Sequence, residues 1–363
     1  ALDAMDEAPS VERALALGAL AENAYWRRPV QELDARSAEA VAVARATGDP
    51  EALARTLHKR IQAMWWSGTL DVRAAAAAEL LELAGEAALP ESLRATALFD
   101  AAAVSWDQGD VPGAALRLGA ARDLAGRTGS PSLITQLDFF RVAIEVWRGR
   151  LDVGDRLLDE TYELYRRTRR WAAEPFRAAF KTSVWMEQDR ADDIATVAPV
   201  ILDSEYGPWF REAYGLALTE LGRLDDAAAL LEGDLPPLGD SWLHLGVLTA
   251  GAHSRVTLGD RRAARILRDH LAPYAGRLAT AGTAMAFGDV DLVLARIEHL
   301  LGNDASARRH ADASVPRLSA AGAGPWLVRA LLVRAEVGGD DADRRRAAEL
   351  VGRMDLPLLA RAL

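Results

Sequence analysis

The sequence repeats with a period of about 40 residues, and this spacing constrains the fold more than any other feature. Glycine recurs in short polar segments between helix-like stretches, as in the strings WDQGDVPGAA and LGRLDDAAALLE. These turn glycines are Gly68, Gly109, Gly149, Gly222, Gly259, Gly302 and Gly338. The long gap between Gly149 and Gly222 predicts one more turn near Asp189. Turns spaced about 33 to 43 residues apart are typical of a repeat protein.

Proline marks the other end of each unit. The spaced prolines are Pro50, Pro90, Pro131, Pro175, Pro208 and Pro325. Proline is favoured in the first helical turn, and a preceding Asp or Ser caps the free amides, as Asp49 and Ser130 do here. We therefore expect each proline to begin the first helix of a unit and each glycine to end it.

Apolar residues between these marks follow a helical period, and no run of alternating β-branched residues indicates a strand. The expected fold is all-α: a right-handed superhelical solenoid of about nine tetratricopeptide-like helix–turn–helix repeats. The expected first helices cover 11–25, 51–66, 91–107, 132–147, 175–188, 208–221, 241–258, 284–301 and 325–337.

Neighbouring hairpins bury one another's apolar faces, so 1–363 is expected to form a single repeat domain. The stretch 233–240 (GDLPPLGD) contains two prolines and two glycines. It predicts a bend between two arms, 1–232 and 241–363.

Composition excludes several classes of protein. The chain has no Cys, which excludes disulfides, thiolate metal sites and a Cys nucleophile. A net charge of −10 argues against a nucleic-acid surface. Charged residues near the start argue against a signal peptide, and no apolar run has the length of a membrane span. These features predict a cytoplasmic protein, and a chain that begins at Ala1 predicts a fragment of a larger one.

One segment resembles the tetratricopeptide repeat. In LGRLDDAAALLE, Gly222 and Ala227 stand at the positions of small residues in that repeat, with Gly215 in the preceding helix. Ala264 and Ala307 occupy the corresponding place in two later segments, which match less fully. The other units are longer and depart from the pattern.

The region from about 208 to 335 is similar to the helical-repeat region of large bacterial regulators, through strings such as LAPYAGRLATAGTAMAFGD and LGNDASARRHADASVPRLSAAGAGPW. These regulators are the ATP-binding LuxR-type regulators and the antibiotic regulatory proteins with a bacterial transcriptional activator domain. The resemblance implies a sensory or autoinhibitory role, in which the repeats bind an effector, a partner or the regulator's own ATPase. Residues 11–205 share only the periodicity.

The chain lacks the family's other parts. Neither lysine, Lys59 or Lys181, follows a Gly-rich phosphate loop, and no basic helix-turn-helix is evident. The ATPase and DNA-binding domains are therefore expected elsewhere in the regulator. We expect no cofactor, no direct contact with nucleic acid or membrane, and no catalysis in this chain.

Catalytic and metal motifs are also missing from the sequence. The six histidines form no HExxH motif, and no GxSxG motif occurs. The paired acids Asp192–Asp193, Asp225–Asp226, Asp289/Asp291 and Asp340–Asp341 lack a magnesium-binding spacing and fall at turns or helix starts, where the dipole favours them. Two alternatives stay open: a generic scaffold for a peptide or helix, and an α/α-toroid enzyme with carboxylates brought together by the fold.

The densest basic patch is YRRTRRW, residues 165–171. One interpretation is a site for phosphate or an acidic partner, and the other is the solvated end of a helix.

Tryptophan recurs with the repeat: Trp65, Trp106, Trp147 and Trp185 each stand shortly before a turn. First helices of such repeats line the concave face, so these indoles either form an aromatic groove or belong to the core between repeats. The groove hypothesis predicts a ligand- or partner-binding set: Arg55, His58, Gln62, Trp65, Trp66, Phe99, Trp106, Asp107, Gln136, Phe139 and Trp147.

Overall fold

A computed structural model of the protein describes residues 8–86, 88–168, 173–233, 235, 241–339 and 341–363. These residues form nineteen α-helices and one two-stranded sheet, so the all-α prediction is confirmed. In chain order the helices are α1 (Val11–Asn23), α2 (Val30–Thr47), α3 (Pro50–Ala63), α4 (Leu70–Glu86), α5 (Glu91–Asp107), α6 (Val111–Thr128), α7 (Pro131–Trp147), α8 (Leu151–Arg167), α9 (Ala173–Glu187), α10 (Ala191–Leu202), α11 (Gly207–Glu220), α12 (Leu224–Leu230), α13 (His244–Thr257), α14 (Arg261–Leu271), α15 (Val290–Leu301), α16 (Asp304–Ala320), α17 (Gly324–Gly338), α18 (Asp341–Met354) and α19 (Pro357–Ala360).

The turns fall where the repeat places them. A left-handed backbone residue stands between the two helices of most hairpins, with φ between 61° and 87°. These residues are Gly109, Gly149, Asp189, Gly222, Gly259, Gly302 and Gly339. The turn predicted near Asp189 is therefore confirmed, although a non-glycine residue occupies the left-handed position. Gly338 is the last residue of α17, and its neighbour Gly339 makes the turn.

The caps also follow the sequence. The Asp49 carboxylate accepts a hydrogen bond from the Ala52 amide at 2.9 Å, and α3 begins at Pro50. The α7 helix begins at Pro131, after Ser130.

Two segments differ from the predicted first helices. The α3 helix ends at Ala63, so Trp65 and Trp66 lie in the connection to α4, which includes a 3₁₀ turn at Ser67–Thr69. Residues 284–301 were expected to be one helix, but Met285–Asp289 is a strand and only Val290–Leu301 is helical. The boundary is set by Asp289, whose carboxylate accepts a hydrogen bond from the Leu292 amide and caps α15.

The strands β1 (Leu278–Ala281) and β2 (Met285–Asp289) form an antiparallel hairpin, which the sequence did not predict. Thr280 pairs with Ala286 and Ala281 with Met285, and the register is irregular between Leu278 and Thr280. The hairpin packs on α13. A Cβ at Gly246 of α13 would lie 2.9 Å from the backbone nitrogen of Ala281, so only glycine permits this close approach.

The chain divides into two compact units. Unit 1 comprises the described residues of 1–106, 113–137 and 239–242, and unit 2 those of 107–112, 138–238 and 243–363. The boundaries between the units thus fall across α5 to α7 and between residues 242 and 243. A bend between two arms was expected at 233–240. Of that stretch, the structure describes only Gly233 and residue 235.

Within each unit, the first helices of successive hairpins stack. In unit 1, α1 contacts α3, and in unit 2 the same relation joins α9 to α11, α11 to α13, α13 to α15 and α15 to α17. The small residues Ala227, Ala264 and Ala307 are fully buried. Their size lets the paired helices approach closely, which is what stacking of short hairpins requires.

Unit 2 also closes on itself. Its last helix, α19, contacts α9, and Arg361 forms an ion pair with Asp189 at the end of α9. The Trp147 indole N–H, at the end of α7, donates to the Ala321 carbonyl at 2.9 Å. The C-terminal hairpins therefore return to the helices that begin the unit. Among the described residues, no helix has the length and apolar character needed to cross a membrane.

Candidate functional site

A polar concavity in unit 1 lies along the first helices of its hairpins. We call it the inner groove; its volume is about 560 Å³. Helices α1, α3, α5 and α7 all contribute to it, with Ser130 immediately before α7. Its lining residues are Leu15, Arg55, His58, Lys59, Ser92, Leu93, Thr96, Ser130, Ser132, Leu133 and Gln136.

Helix α3 supplies the charged side of the groove. His58 and Lys59 follow Arg55 by three and four residues, so the three side chains share one face of the helix. The opposite face carries Leu57 and Ile61, which are buried in the core of unit 1 with Leu80 of α4. Burial of that apolar face fixes the rotation of α3 and directs the polar residues into the groove.

His58 is held by a carboxylate beneath the groove. Its Nδ1 lies 2.7 Å from Oδ2 of Asp100, which is fully buried on α5. The Gln62 amide donates to the other Asp100 oxygen at 3.2 Å. With Nδ1 donating to Asp100, the remaining ring nitrogen, Nε2, is left for the groove.

The pKa of His58 reflects this pairing. Burial lowers the pKa, but the charge of Asp100 and its hydrogen bond raise it by more, so the net pKa lies above the ordinary 6.5. A raised pKa increases the fraction of imidazolium at neutral pH. His58 therefore adds positive charge to the groove at neutral pH, where a histidine of ordinary pKa is mostly neutral.

The other two cations pair at the rim. Arg55 donates to Glu51 from Nε at 2.9 Å and from Nη2 at 2.6 Å. Lys59 forms an ion pair with Glu22 of α1. Neither Glu51 nor Glu22 lines the groove, and its lining contains no acidic side chain among the described residues.

Three of the predicted site residues, Arg55, His58 and Gln136, line this groove. Gln62 lies just behind it, as the second partner of Asp100. Reasoning from sequence missed Lys59 and the hydroxyl residues. Ser92 and Thr96 are spaced four residues apart on α5, and this helical spacing was a usable signal. Ser130 stands immediately before α7 and Ser132 lies in its first turn.

The hypothesis of an aromatic groove is corrected by the burial of most of its aromatic residues. Trp66, Phe99, Trp106 and Trp147 are at most 7% exposed and belong to the core. Trp66 packs with Leu33 and Met64. Trp65 is half-buried, with its ring centroid 6.4 Å from that of Phe99. Trp106, Trp147 and Trp185 are thus buried, as the core interpretation expects, whereas Trp65 is not fully buried.

The remaining predicted residues lie in unit 2. Asp107 is buried and accepts a hydrogen bond from Thr280 of β1 at 2.6 Å. Phe139 stacks on Phe180 at 5.3 Å and meets the edge of Tyr165. Trp147 is fixed by its bond to Ala321. All three anchor packing within unit 2.

Unit 2 contains a second polar arrangement, which the sequence did not indicate. We call it the buried charge cluster: Glu187, Glu220, His253, Arg296 and Arg329. Each residue comes from a different first helix, α9, α11, α13, α15 and α17. Arg329 is 142 residues from Glu187 and 109 residues from Glu220, so the sequence contains no local pattern that predicts these two ion pairs.

Arg329 is the centre of this cluster. Its Nη1 lies 2.9 Å from Glu187, and its Nε and Nη2 lie 2.9 and 2.7 Å from Glu220. The guanidinium also stacks 4.7 Å from the Trp326 ring centroid. Burial raises the pKa of Glu187, and the nearby Glu220 adds to this against the opposing effect of Arg329. One cation thus holds two carboxylates that repel each other.

His253 occupies the other side of the cluster. Its ring lies 5.4 Å from Trp326, and its Nδ1 is 2.8 Å from Nη1 of Arg296. A guanidinium can only donate, so Nδ1 accepts and the ring is neutral. Burial, followed by the charges of Arg296 and Arg329, lowers the pKa of His253 well below 6.5.

The paired acids take structural positions. Asp192–Asp193 and Asp225–Asp226 fall in the first turns of α10 and α12, and Asp341 in that of α18. Asp289 caps α15 and pairs with Arg317 at 2.7 Å. Asp340 lies outside the described residues, as do residues 169–171 of the basic patch. No group of three potential metal ligands occurs in the described ranges.

No family model matches the chain, and no curated protein matches it.

Proposed function

We propose that the protein is a non-catalytic binding domain built from about nine stacked tetratricopeptide-like hairpins in a right-handed solenoid. Its inner groove binds a small-molecule effector. In keeping with the sequence resemblance, the domain is the sensing part of a cytoplasmic bacterial regulator whose ATPase and DNA-binding parts lie elsewhere.

The observation that carries the proposal is the inner groove itself. Four first helices line one concavity and three of them, α3, α5 and α7, contribute polar side chains to it. Its volume of about 560 Å³ is in the range of metabolite sites. Exposed polar groups on a concave face are typical of binding, whereas the buried tryptophans account for stability. The stacking of first helices and the burial of Ala227, Ala264 and Ala307 support the repeat assignment.

A solenoid is suited to this regulatory role. Its interfaces are many and individually small, so that a ligand bridging several first helices favours one curvature over another. The ligand changes the population of the two shapes by its difference in affinity for them.

The test is thermal unfolding of the full chain against a panel of anionic, neutral and cationic metabolites. A ligand at about 100 times its dissociation constant should add about 2.7 kcal/mol to stability. Each stabilising compound is then tested on Ser92→Trp, which fills the groove from α5, and on Ala78→Trp, an equally bulky change at an exposed site of α4.

We expect Ser92→Trp to abolish the stabilisation and Ala78→Trp to retain it. Stabilisation that survives Ser92→Trp would place the ligand elsewhere. The scaffold alternative would be favoured if no compound in the panel stabilised the chain and if the chain bound a peptide that Ser92→Trp no longer bound.

A further inference from the structure

We propose that the inner groove takes a small organic anion, with an oxyanion head of the carboxylate or phosphate type on a short apolar body. This inference rests on the proposed function and adds the chemical class of the ligand. It is carried by the juxtaposition of Arg55, His58 and Lys59 with hydroxyl groups in a lining free of acidic side chains among the described residues.

The lining of the groove is positively charged, whereas the chain as a whole is negatively charged. The whole sequence has a net charge of −10, yet the groove presents two permanent cations and one imidazole. The compensating carboxylates are placed around it rather than in it: Glu51 and Glu22 at the rim and Asp100 beneath His58. An anion entering the groove would meet donors first.

These groups keep donors for a ligand after their protein contacts are made. Glu51 accepts one hydrogen bond from Nε and one from Nη2 of Arg55. A guanidinium has five N–H groups in total, so others remain for a ligand. An ammonium has three, and Lys59 uses one toward Glu22. Asp100 engages only the Nδ1 side of His58. Charge-assisted hydrogen bonds of this kind favour a carboxylate or phosphate over a neutral group.

The rest of the lining fits the two ends of such a ligand. Ser130 and Ser132 stand at the start of α7, a helix of 17 residues whose amide dipoles favour negative charge. Leu15, Leu93 and Leu133 provide apolar contact for a short hydrocarbon portion. The ligand is therefore amphipathic, and inorganic phosphate alone would use only part of the site.

The experiment compares four probes with one hydrocarbon tail and different heads: hexanoate, hexyl phosphate, hexanamide and hexylammonium. Binding to the full chain is measured by isothermal titration at low ionic strength. We expect hexanoate and hexyl phosphate to bind and the neutral and cationic probes to bind at least about tenfold more weakly, because neither of the latter carries a negative charge to pair with the cations of the groove. The ratio of the two anions distinguishes a carboxylate ligand from a phosphate ligand.

Two matched variants locate the anion. Arg55→Gln should weaken binding of the anionic probes about tenfold. Arg45→Gln should change it less than about twofold, because this arginine of α2 lies outside the groove. The control is well matched, since Arg45 also pairs with one glutamate, and the side chains are 57% and 48% exposed for Arg45 and Arg55.

The pH dependence tests His58. Its charged neighbours are Asp100 from α5, Glu22 from α1, and Lys59 and Arg55 from α3 itself, while α7 contributes uncharged side chains to the groove. Hexanoate affinity should fall as the pH rises through the His58 pKa, and His58→Gln should remove this dependence. Hexanoate is the suitable probe because a carboxylate stays ionised throughout that range.

The results separate this inference from the proposed function. If hexanamide binds as tightly as hexanoate, or if none of the four probes responds to Arg55→Gln, the anion class is wrong. A groove-located metabolite from the panel could still uphold the proposed function in that case. If Ser92→Trp leaves every ligand bound, both proposals fail.

Discussion

The two units place polar side chains on the same kind of helix and use them differently. In unit 1, Arg55, His58 and Lys59 project from a first helix into an open groove. In unit 2, Glu187 and Arg329 project from first helices into the interior, where their side chains are at most 9% exposed. The difference follows from closure, because the C-terminal hairpins of unit 2 return to α9 and cover the polar face. The polar inner face of such repeats can therefore remain open as a groove or become buried when the hairpins close on one another.

The largest expected effect is on stability and tests the buried charge cluster of unit 2. Arg329→Met leaves the buried Glu187 and the half-buried Glu220 without their cation, and removal of one partner of a buried ion pair costs about 3–5 kcal/mol. Urea unfolding should show this loss, whereas Arg166→Met, which removes an exposed pair with Glu163, should change stability by less than about 1 kcal/mol.

A double variant tests whether the uncompensated carboxylates cause the loss of stability. Adding Glu187→Gln to Arg329→Met should recover part of the lost stability, because one uncompensated charge is then absent. If Arg329→Met unfolds at the same urea concentration as Arg166→Met, the cluster does not hold unit 2 closed, and the contrast between the units fails.

The next effect tests the open unit through adjacent tryptophans. Trp66 is 7% exposed and packs edge-on to Tyr25 with Leu33 and Met64, while Trp65 is half-buried. Trp66→Ala should cost about 3–5 kcal/mol of unfolding free energy. Trp65→Ala should cost less, within the usual range of about 0.5–3 kcal/mol.

Neither tryptophan variant should weaken an anionic probe as Arg55→Gln does, because neither ring lines the groove. Titration of both variants with hexanoate checks this. A specific loss of binding in Trp66→Ala, with stability retained, would restore the aromatic groove.

Sequence periodicity predicted the local part of this structure well. It located the turn at Asp189 despite the missing glycine, and it located α3 because Asp49 and Pro50 encode a helix start. His58 and Gln62 were predicted on one stripe, and their shared partner Asp100 stands about one repeat later in the sequence. Relations within a repeat, or between adjacent repeats, are visible in a sequence because spacing alone determines them.

Relations across several repeats are not visible. Glu187 and Arg329 are 142 residues apart, and they meet only because unit 2 closes. The β-hairpin was missed because small residues such as Ala279 and Ala286 replace the usual β-branched ones. Its strand geometry depends on packing against Gly246 of α13, a tertiary contact that overrides local propensity.

The smallest expected effect compares one histidine from each unit. The pKa of His58 is raised in the folded state, so the folded chain holds that proton more tightly than the unfolded chain. Its contribution to stability is fully present below about pH 6.5 and is lost as the pH rises through the folded pKa. The pKa of His253 is lowered, so its contribution is present above about pH 6.5 and is lost as the pH falls toward the folded pKa.

The measurement is urea unfolding of the parent chain, His58→Gln and His253→Gln between about pH 5 and 9, a range in which ordinary carboxylates and lysines do not titrate. The stability difference between parent and His58→Gln should shrink as the pH rises, and that between parent and His253→Gln should grow. Any effect of glutamine packing is the same at every pH, so only the slopes matter. Slopes of the same sign would mean that both histidines occupy similar electrostatic surroundings, and that the open groove and the buried cluster do not differ in the way their contacts indicate.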